Sequence, residues 1–281
     1  MSPITIQAAL KNAGERLDAL DARVLLCHAI GRDTAYVLAH PEALLRKSEL
    51  ETYEALVARR ARGEPVAYLT GEREFYGRSF QVTPAVLIPR PETELLVDLA
   101  LSHIPADSPS RVLDLGTGSG CIAIALASER SHCKILALDQ SVEALAVARR
   151  NAVGAHVGNV AFLQSDWFGA LGRELFDVIV ANPPYVASAD PHLAAGDVRF
   201  EPRHALDGGP DGMDSIRHIV TEAKSHLTPG GWLMFEHGYD QGERARLTLH
   251  AAGYEKIFTA HDLAGTDRVS AGRLTHEATV Q

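Results

Sequence analysis

Residues 111–120 read Arg-Val-Leu-Asp-Leu-Gly-Thr-Gly-Ser-Gly, and they give the strongest indication of how this chain folds. The mostly apolar first half predicts a strand buried in a parallel sheet. Glycines at alternating positions, Gly116, Gly118 and Gly120, then permit a tight turn and the close approach of a ligand to bare backbone. A predicted helix over 121–128 follows, and its free N–H groups face the same place. Strand, glycine-rich turn and helix together predict a ligand-binding edge of an α/β sheet.

A second predicted strand, 134–138, ends at Asp139, an acid about 20 residues past the turn that suits two ribose hydroxyls. The turn lacks the Lys-Ser/Thr ending of phosphate-gripping loops, which disfavours ATP hydrolysis. Asp114 would repel a pyrophosphate but could attract an α-ammonium group, directly or through water. A dinucleotide therefore fits poorly. S-adenosylmethionine fits well, because it carries ribose, adenine and an amino-acid end without phosphate.

A third predicted strand, 160–164, ends in Ser165, Asp166 and Trp167. The Asp166 carboxylate could accept a hydrogen bond from an adenine amino group, and the Trp167 ring could lie against the base. The alternative is a polar loop with a packed tryptophan. In the first case this segment contributes the adenine side of the cofactor site.

Residues 182–185 read Asn-Pro-Pro-Tyr, directly after an apolar run over 176–181 that predicts a buried strand. Neither proline has an N–H to continue the ladder, so the backbone leaves the sheet stiffly. The Asn182 side-chain oxygen and the Pro183 carbonyl could each accept one hydrogen of a planar –NH2 group, while Tyr185 stacks on it. Holding both hydrogens would aim the nitrogen lone pair along one line. The alternative from these four residues alone is a strand followed by a rigid turn.

Composition and charge disfavour several classes of protein. The 281 residues are 46% hydrophobic, enough for one large domain and a smaller one, and no apolar run is long enough to span a bilayer. No secretory signal is evident, and Cys27, Cys121 and Cys133 lack metal-ligand spacing, so we expect reduced thiols, no metal and a cytoplasmic location. The net charge is −9, with 12 Lys and Arg against 11 Asp and Glu in residues 1–90 and 15 against 25 in the remainder. This acidic second part disfavours stable binding of nucleic acid through many phosphates.

Three segments are predicted along the chain: a helical domain over 1–64, a β-hairpin linker over 65–85 and a catalytic domain over 86–281. Apolar residues recur at helical spacing in the first segment, and short runs broken by glycines mark the second. Within the helical domain, Ser48 and Glu51 match a capping box that opens a helix. That helix is predicted to run to residue 62 and to stop before a glycine.

A rigid lip is predicted where Arg90 lies between Pro89 and Pro91. Glu92 and Glu94 then fall in the first turn of a helix, where negative charge is favourable. The structural interpretation is a stiff linker and a helix start. The functional interpretation is a lip over the cofactor.

An irregular, polar stretch over 187–204 is predicted to be a lid or substrate-binding loop. The elements predicted after it are a helix over 214–227, a strand over 232–236, a helix over 241–252 and closing strands over 254–258 and 268–274. His237 at a strand's carboxyl end could face the site, although a structural role is favoured, and His204 is predicted to be a loop residue. The tail from Thr275 is expected to fray.

Laid out in this way, the chain resembles the PrmC/HemK family of class I S-adenosylmethionine-dependent methyltransferases. The segments that carry the resemblance are Phe-Tyr-Gly at 75–77, Ile-Pro-Arg-Pro-Glu-Thr-Glu at 88–94, the strand and turn at 114–120, Asn-Pro-Pro-Tyr at 182–185 and Glu-Pro at 201–202. Asn-Pro-Pro-Tyr is shared with adenine-N6 DNA methyltransferases and with a sibling that modifies a ribosomal protein. The Arg-Pro-Glu-Thr-Glu segment is more specific, since the sibling usually has serine after the arginine. Ala-Ala-Gly at 194–196 departs from the bulkier residue expected in the lid.

The resemblance implies a Rossmann-like, mostly parallel seven-stranded sheet, with a small N-terminal helical domain that recognises the substrate. It implies cofactor contacts from Gly116, Thr117, Gly118, Ser119, Gly120, Asp139, Asp166, Trp167 and Asn182. It implies catalytic roles for Asn182, Pro183 and Tyr185, and contacts to the substrate glutamine from Asn182, Pro183, Pro184 and Tyr185.

The implied activity is methylation of the side-chain amide nitrogen (N5) of the glutamine in the Gly-Gly-Gln motif of peptide chain release factors. Release factors would be the protein partners, with no membrane and no stable nucleic-acid partner. The alternatives are an adenine-N6 DNA methyltransferase, a ribosomal-protein glutamine methyltransferase, and a non-catalytic binding module that has kept the fold.

Overall fold

The computed structural model describes residues 4–275, which divide into two units. The first, here called the helical unit, comprises the residues up to 72 together with 196–200. The second, the sheet unit, comprises 73–195 together with the residues from 201 onward. The fraying expected at the C-terminal tail concerns residues that, beyond Thr275, lie outside the described part of the chain.

The helical unit contains five helices: α1 (Ile6–Ala13), α2 (Ala19–Ile30), α3 (Thr34–Ala39), α4 (Lys47–Arg60) and α5 (Val66–Thr70). The side chains of Thr5, Asp18 and Asp33 accept hydrogen bonds from the first free N–H groups of α1, α2 and α3. The helices pack around a buried apolar cluster that includes Leu25 and Tyr53. The Tyr53 hydroxyl donates to the Ala22 carbonyl at 3.1 Å, so its polar end is satisfied inside this core.

Two predictions for this unit are wrong in detail. Helix α4 begins at Lys47 with Arg46 as its N-cap residue, and the carboxylate that caps it is that of Glu49, so the box predicted from Ser48 and Glu51 is wrong. The Glu49 carboxylate accepts from the Arg46 backbone N–H at 2.7 Å and from the Arg46 Nε at 2.8 Å. Hydrogen bonds to a charged group are stronger than neutral ones, and Ser48 lies inside the helix, one residue past its start. The chain after Pro65 also forms the short helix α5 before any strand.

The predicted β-hairpin is present as β1 (Glu72–Phe75) and β2 (Arg78–Gln81). Its turn residues Tyr76 and Gly77 have φ values of 52° and 68°, the left-handed pair that a two-residue hairpin requires. Phe75 and Phe80 are buried against the core of the sheet unit.

A seven-stranded sheet forms the centre of the sheet unit, with the order β5-β4-β3-β6-β7-β9-β8. Its strands are β3 (Arg111–Leu115), β4 (Lys134–Asp139), β5 (Val160–Gln164), β6 (Phe176–Ala181), β7 (Leu227–Glu236), β8 (Tyr254–His261) and β9 (Asp267–Leu274). Strands β3 to β7 pair in parallel, and β9 is antiparallel to both of its neighbours. The predicted mostly parallel, seven-stranded α/β architecture is therefore confirmed.

Five helices complete the unit: α6 (Glu94–His103), α7 (Cys121–Glu129), α8 (Val142–Gly154), α9 (Asp214–Glu222) and α10 (Gly242–Ala251). Two buried clusters hold the layers together, one that includes Leu96 and Ile124 and one that includes Leu113, Ile216 and Phe235. None of the described helices is both long and apolar enough to cross a membrane.

The helix predicted over 214–227 is too long. Helix α9 ends at Glu222, a 3-10 turn follows over 223–225, and β7 already begins at Leu227. Leu227 pairs with Phe176 on the neighbouring strand β6, and the next pair is Trp232 with Val178. The register shifts between these two pairs, so that Pro229, Gly230 and Gly231 of β7 form a bulge. The burial of Leu227 decides this boundary, and local sequence gives no sign of it.

Replacing Leu113 by alanine should lower the free energy of unfolding of the sheet unit by about 2–5 kcal/mol, because the side chain is fully buried in the central strand. Leu163→Ala is the matched control: Leu163 is 38% exposed on an edge strand and should cost less than about 1 kcal/mol. Both tryptophans, Trp167 and Trp232, lie in the sheet unit, so their fluorescence during urea unfolding reports on it. Equal losses in the two variants would contradict the assigned core.

Candidate active site

An open cavity of about 910 Å³ lies in the sheet unit, at the carboxyl ends of its parallel strands. Among the cofactor and substrate residues that the resemblance implies, those that line it are Gly116, Thr117, Gly118, Ser119, Asp139, Asp166, Trp167, Asn182 and Pro184. Gly120, Pro183 and Tyr185 are not part of this lining. Segments far apart in sequence thus meet at one edge of the sheet, where open α/β sheets bind ligands.

The glycine-rich turn has the left-handed backbone that its sequence predicts, with φ values of 70° at Gly116, 55° at Gly118 and 83° at Gly120. Gly120 has a packing role, because an added Cβ would lie 3.0 Å from Ile124 Cδ1 and 3.1 Å from the Ala148 Cβ. The three glycines therefore differ: two present backbone to the cavity, and the third lets α7 approach α8.

Asp139 fixes the turn through its carboxylate. Its Oδ2 accepts from the Gly118 N–H at 2.9 Å, and its Oδ1 accepts from the Ser141 N–H at 2.9 Å. Each oxygen keeps a lone pair that can accept from a ligand. The carboxylate is thus held at the cavity in one orientation.

Asp114 lies beneath the turn and is fully buried. Its Oδ2 accepts from the Thr117 hydroxyl at 2.6 Å. Burial raises the pKa of Asp114 to about 7, and the nearby Asp139 adds to the effect, whereas the Thr117 hydrogen bond opposes it. Asp114 does not line the cavity, so the contact the structure shows is support of the turn, and attraction of an ammonium group stays a prediction.

Trp167 adopts a left-handed backbone conformation with φ of 45°, which is costly for a residue with a large side chain. The Ser165 hydroxyl stabilises it by donating to the Trp167 carbonyl at 2.7 Å, while accepting from the Ala170 N–H at 3.0 Å. An added Cβ at Gly116 would lie 3.8 Å from Trp167 Cζ3, so the ring stands beside the turn. Sequence reasoning predicted the ring but gave no sign of this backbone strain.

Asn182 lines the cavity and carries a buried acceptor without a donor. Its Nδ2 donates to the Thr93 hydroxyl at 3.1 Å. Its Oδ1 is buried, and no donor within residues 4–275 reaches it. A buried acceptor without a donor is costly, so such an atom at a cavity indicates a ligand with an N–H or O–H to donate.

Two residues missed by sequence reasoning, Thr93 and Glu236, connect Asn182 to Tyr185. The Thr93 hydroxyl donates to Glu236 Oε2 at 2.6 Å, and the Tyr185 hydroxyl donates to Glu236 Oε1 at 3.0 Å. Burial raises the pKa of Glu236, although these two hydrogen bonds and Arg268 oppose the rise. Burial also raises the pKa of Tyr185, so its hydroxyl keeps its proton. The available signal was the position of Glu236 at the carboxyl end of the strand beside β6.

The lip predicted around Arg90 lines the cavity and is tied down by one buried carboxylate. The Arg90 guanidinium pairs with Glu201 Oε1, and Glu201 Oε2 accepts from the Ile88 N–H at 3.0 Å. His204 also lines the cavity. His237 does not; it is buried, and its Nε2 lies 2.9 Å from the Ser270 hydroxyl, which makes its role structural.

The cysteines offer no chemistry in this structure. Cys27, Cys121 and Cys133 are free, and burial raises the pKa of the Cys121 thiol to about 12 although it lines the cavity. Within the described residues, no group of three or more His, Cys, Asp and Glu side chains is arranged to hold a metal ion.

Comparison with known proteins gives the family. Residues 5–71 match the PrmC N-terminal domain, and residues 93–201 match the methyltransferase small domain. Proteins named release factor glutamine methyltransferase are 50% identical in Burkholderia pseudomallei, over 97% of both chains, and 48% identical in Xylella fastidiosa, over 97% of this chain and 98% of that one. The Escherichia coli protein of that name is 47% identical over 90% of this chain and 91% of its own. The chain belongs to the release factor glutamine methyltransferase family.

Solved structures agree on the fold. A methyltransferase from Pyrococcus furiosus has a TM-score of 0.54 at 19% identity, over 78% of this chain and 97% of that one. The T. thermophilus 16S rRNA N2 G1207 methyltransferase, in complex with AdoMet and guanosine, has a TM-score of 0.51 at 20% identity, over 72% of this chain and 49% of that one. The sheet of this chain is thus that of class I methyltransferases. The family relatives in turn confirm the resemblance to the PrmC/HemK family.

The stability of the sheet unit should fall as the pH rises from about 5 to about 8, because Asp114 ionises in the folded state near pH 7 but near pH 4 when unfolded. The folded state binds the extra proton in that range, so raising the pH removes stability, by on the order of 2 kcal/mol. Asp114→Asn keeps an oxygen acceptor for Thr117 and should remove this part of the slope. The exposed Asp240→Asn is the control. Urea unfolding at both pH values measures the difference, and an unchanged slope in Asp114→Asn contradicts it.

Proposed function

We propose that this chain transfers a methyl group from S-adenosylmethionine to the side-chain amide nitrogen (N5) of a glutamine in peptide chain release factors, the glutamine of their Gly-Gly-Gln motif. Its family relatives are named release factor glutamine methyltransferase. The observation that carries the proposal for the site is the buried Asn182 Oδ1, an acceptor without a donor on a residue that lines the open cavity.

The residues at the cavity fit S-adenosylmethionine. Gly116 and Gly118 present bare backbone, and the turn carries no lysine that would match a phosphate. Asp139 would accept from the ribose hydroxyls, and Asp166 from the adenine amino group, with Trp167 against the ring. When bound, the cofactor supplies a methyl group on a positively charged sulfur. The remaining cofactor contacts proposed are from Thr117, Ser119, Gly120 and Asn182.

The substrate amide would be held by two acceptors. The Asn182 Oδ1 would take one amide hydrogen and the Pro183 carbonyl the other, so that the nitrogen lone pair points in a fixed direction. Pro184 would complete the wall, and Tyr185 would pack on the planar group. An amide nitrogen is a poor nucleophile, so fixing its orientation is the main contribution that these residues make.

The helical unit would recognise the release factor, and the segment over 187–212 would contact the substrate as a lid. Methylation of a release factor implies a cytoplasmic location. Methylation of adenine in DNA is the second candidate, since the Asn-Pro-Pro-Tyr segment would hold an adenine amino group equally well. The excess of acidic residues after position 90 disfavours it.

Incubation with labelled S-adenosylmethionine and either release factor or DNA should label the release factor alone, with one methyl group on a glutamine by mass spectrometry. Asn182→Ala should lose this turnover by a factor on the order of 10² or more and bind the cofactor nearly as well as the wild type, because it removes an acceptor for the substrate amide. Equal losses of turnover and of calorimetric affinity would contradict the assigned role. If the DNA became labelled and the release factor did not, the proposed function would be overturned.

Asp139→Ala should weaken cofactor binding by about 10- to 100-fold, since hydrogen bonds to a charged group are lost along with the anchor of Gly118. Calorimetric titration with S-adenosylmethionine measures the loss. Asp240→Ala, which removes an exposed carboxylate outside the cavity lining, is the matched control and should leave the affinity unchanged. Unchanged affinity in Asp139→Ala would remove Asp139 from the cofactor site.

A further inference from the structure

Four side chains form one hydrogen-bonded chain at the candidate active site. Asn182 donates to Thr93, Thr93 donates to Glu236, and Tyr185 donates to the other oxygen of Glu236. From this chain we infer that Glu236, acting through Thr93, determines which end of the Asn182 amide faces the cavity. Glu236 and Thr93 are then positioning residues for methyl transfer. This inference rests on the proposed function and deepens it, because nothing in the sequence motifs assigns these two residues a role in orienting the amide.

The direction of every hydrogen bond follows from the chemistry at one end. The Thr93 hydroxyl donates its only proton to Glu236 Oε2 at 2.6 Å. The Thr93 oxygen can then only accept from Asn182, so the Asn182 group that faces it must be the –NH2. The Asn182 oxygen is then the end of the amide that has no donor within the described residues, and Asn182 itself lines the cavity.

The reverse orientation of the Asn182 amide would place donors against donors and acceptors against acceptors. With its –NH2 turned to the cavity, Asn182 would oppose the N–H groups of a substrate amide, donor against donor. Its oxygen would then face the Thr93 oxygen, whose proton is already given to Glu236. Two buried mismatches would replace two hydrogen bonds, so the hydrogen bond that Thr93 gives to Glu236 makes this orientation costly.

The same carboxylate fixes the other end of the Asn-Pro-Pro-Tyr segment. Tyr185 keeps its proton and donates it to Glu236 Oε1, so both oxygens of one buried group are engaged. Glu236 is 1% exposed and does not line the cavity, so its effect reaches the cavity through Thr93, which does. Burial raises the pKa of Glu236 and the charge of Glu92 adds to the rise, while the hydrogen bonds from Thr93 and Tyr185 and the charge of Arg268 oppose it.

The test compares Thr93→Val with Thr93→Ser. Valine keeps the size and shape of threonine without the hydroxyl, whereas serine keeps the hydroxyl without the methyl group. Thr93→Val should lower kcat by a factor on the order of 10², with little change in cofactor affinity, because a misoriented amide misplaces the nucleophile. Thr93→Ser should restore most of the turnover. Thr248→Val, which removes an exposed hydroxyl of α10, is the control for threonine replacement and should leave kcat unchanged. Wild-type kcat in Thr93→Val, or an equal loss in Thr93→Ser, would overturn the inference.

A double-mutant cycle tests the relay. Glu236→Met removes both hydrogen bonds with a side chain of similar length, and it should lower kcat by at least as much as Thr93→Val. Adding Thr93→Val to Glu236→Met should cause no further loss, since the two residues act through one path. Losses that multiply would show independent roles and overturn the relay.

The orientation can also be read without turnover. In an NMR spectrum, the side-chain 15N–1H signals of Asn182 can be assigned because they disappear in the Asn182→Ala variant. They should shift in Thr93→Val and stay near their wild-type positions in Thr93→Ser. Unchanged signals in Thr93→Val would overturn the inference. If instead the wild-type enzyme methylates no release factor, the proposed function fails, while these signals still decide how Asn182 is held.

Discussion

Parallel pairing of β3 with β6 is the constraint on which the site depends. The register places Leu115 beside Ala181, so the glycine-rich turn and the Asn-Pro-Pro-Tyr segment leave the sheet from adjacent positions. The chain proceeds from β3 to β4 and β5 on one side, and from β6 to β7 on the other. The two loops therefore diverge and leave a crevice between them, the general binding place in open α/β sheets.

Buried carboxylates hold the walls of this crevice from behind. Asp114 supports the turn through Thr117, and Glu236 supports the opposite wall through Thr93 and Tyr185. Removing a carboxylate from water is costly, and the raised pKa values of both groups express that cost. Their hydrogen bonds reduce the cost and fix the side chains that face the cavity before any ligand arrives, which is the condition for a preorganised site.

Local patterns were sufficient to predict most of the sheet unit. The strands over 160–164 and 176–181 have the predicted bounds, because short apolar runs between polar turns leave little choice. The predicted capping box is wrong because α4 begins at Lys47 and is capped by the Glu49 carboxylate, so that Ser48 lies inside the helix. The start of β7 at Leu227 was missed because its partner, Phe176, lies in another part of the chain.

The same limit explains what sequence reasoning could not find at the site. Thr93 and Glu236 are 143 residues apart, and only the folded sheet brings their side chains together. The positive φ of Trp167 likewise depends on the hydrogen bonds of Ser165 and on neighbours that no local pattern specifies. Motifs therefore indicated the groups that face a ligand, but not the groups that orient them.

The kind of substrate that this arrangement suits follows from what Glu236 does not do. Both of its oxygens are engaged by hydroxyl donors and it is absent from the cavity lining, so it is placed to orient neighbours and not to take a proton from a substrate. An amine substrate is protonated at neutral pH and must lose a proton before its nitrogen can attack. A carboxamide nitrogen is already neutral, and its difficulty is the delocalised lone pair. In this site the buried carboxylate orients Asn182 and is not available as a base. The site therefore favours a planar amide over an ammonium group as the substrate, and a glutamine side chain is such an amide.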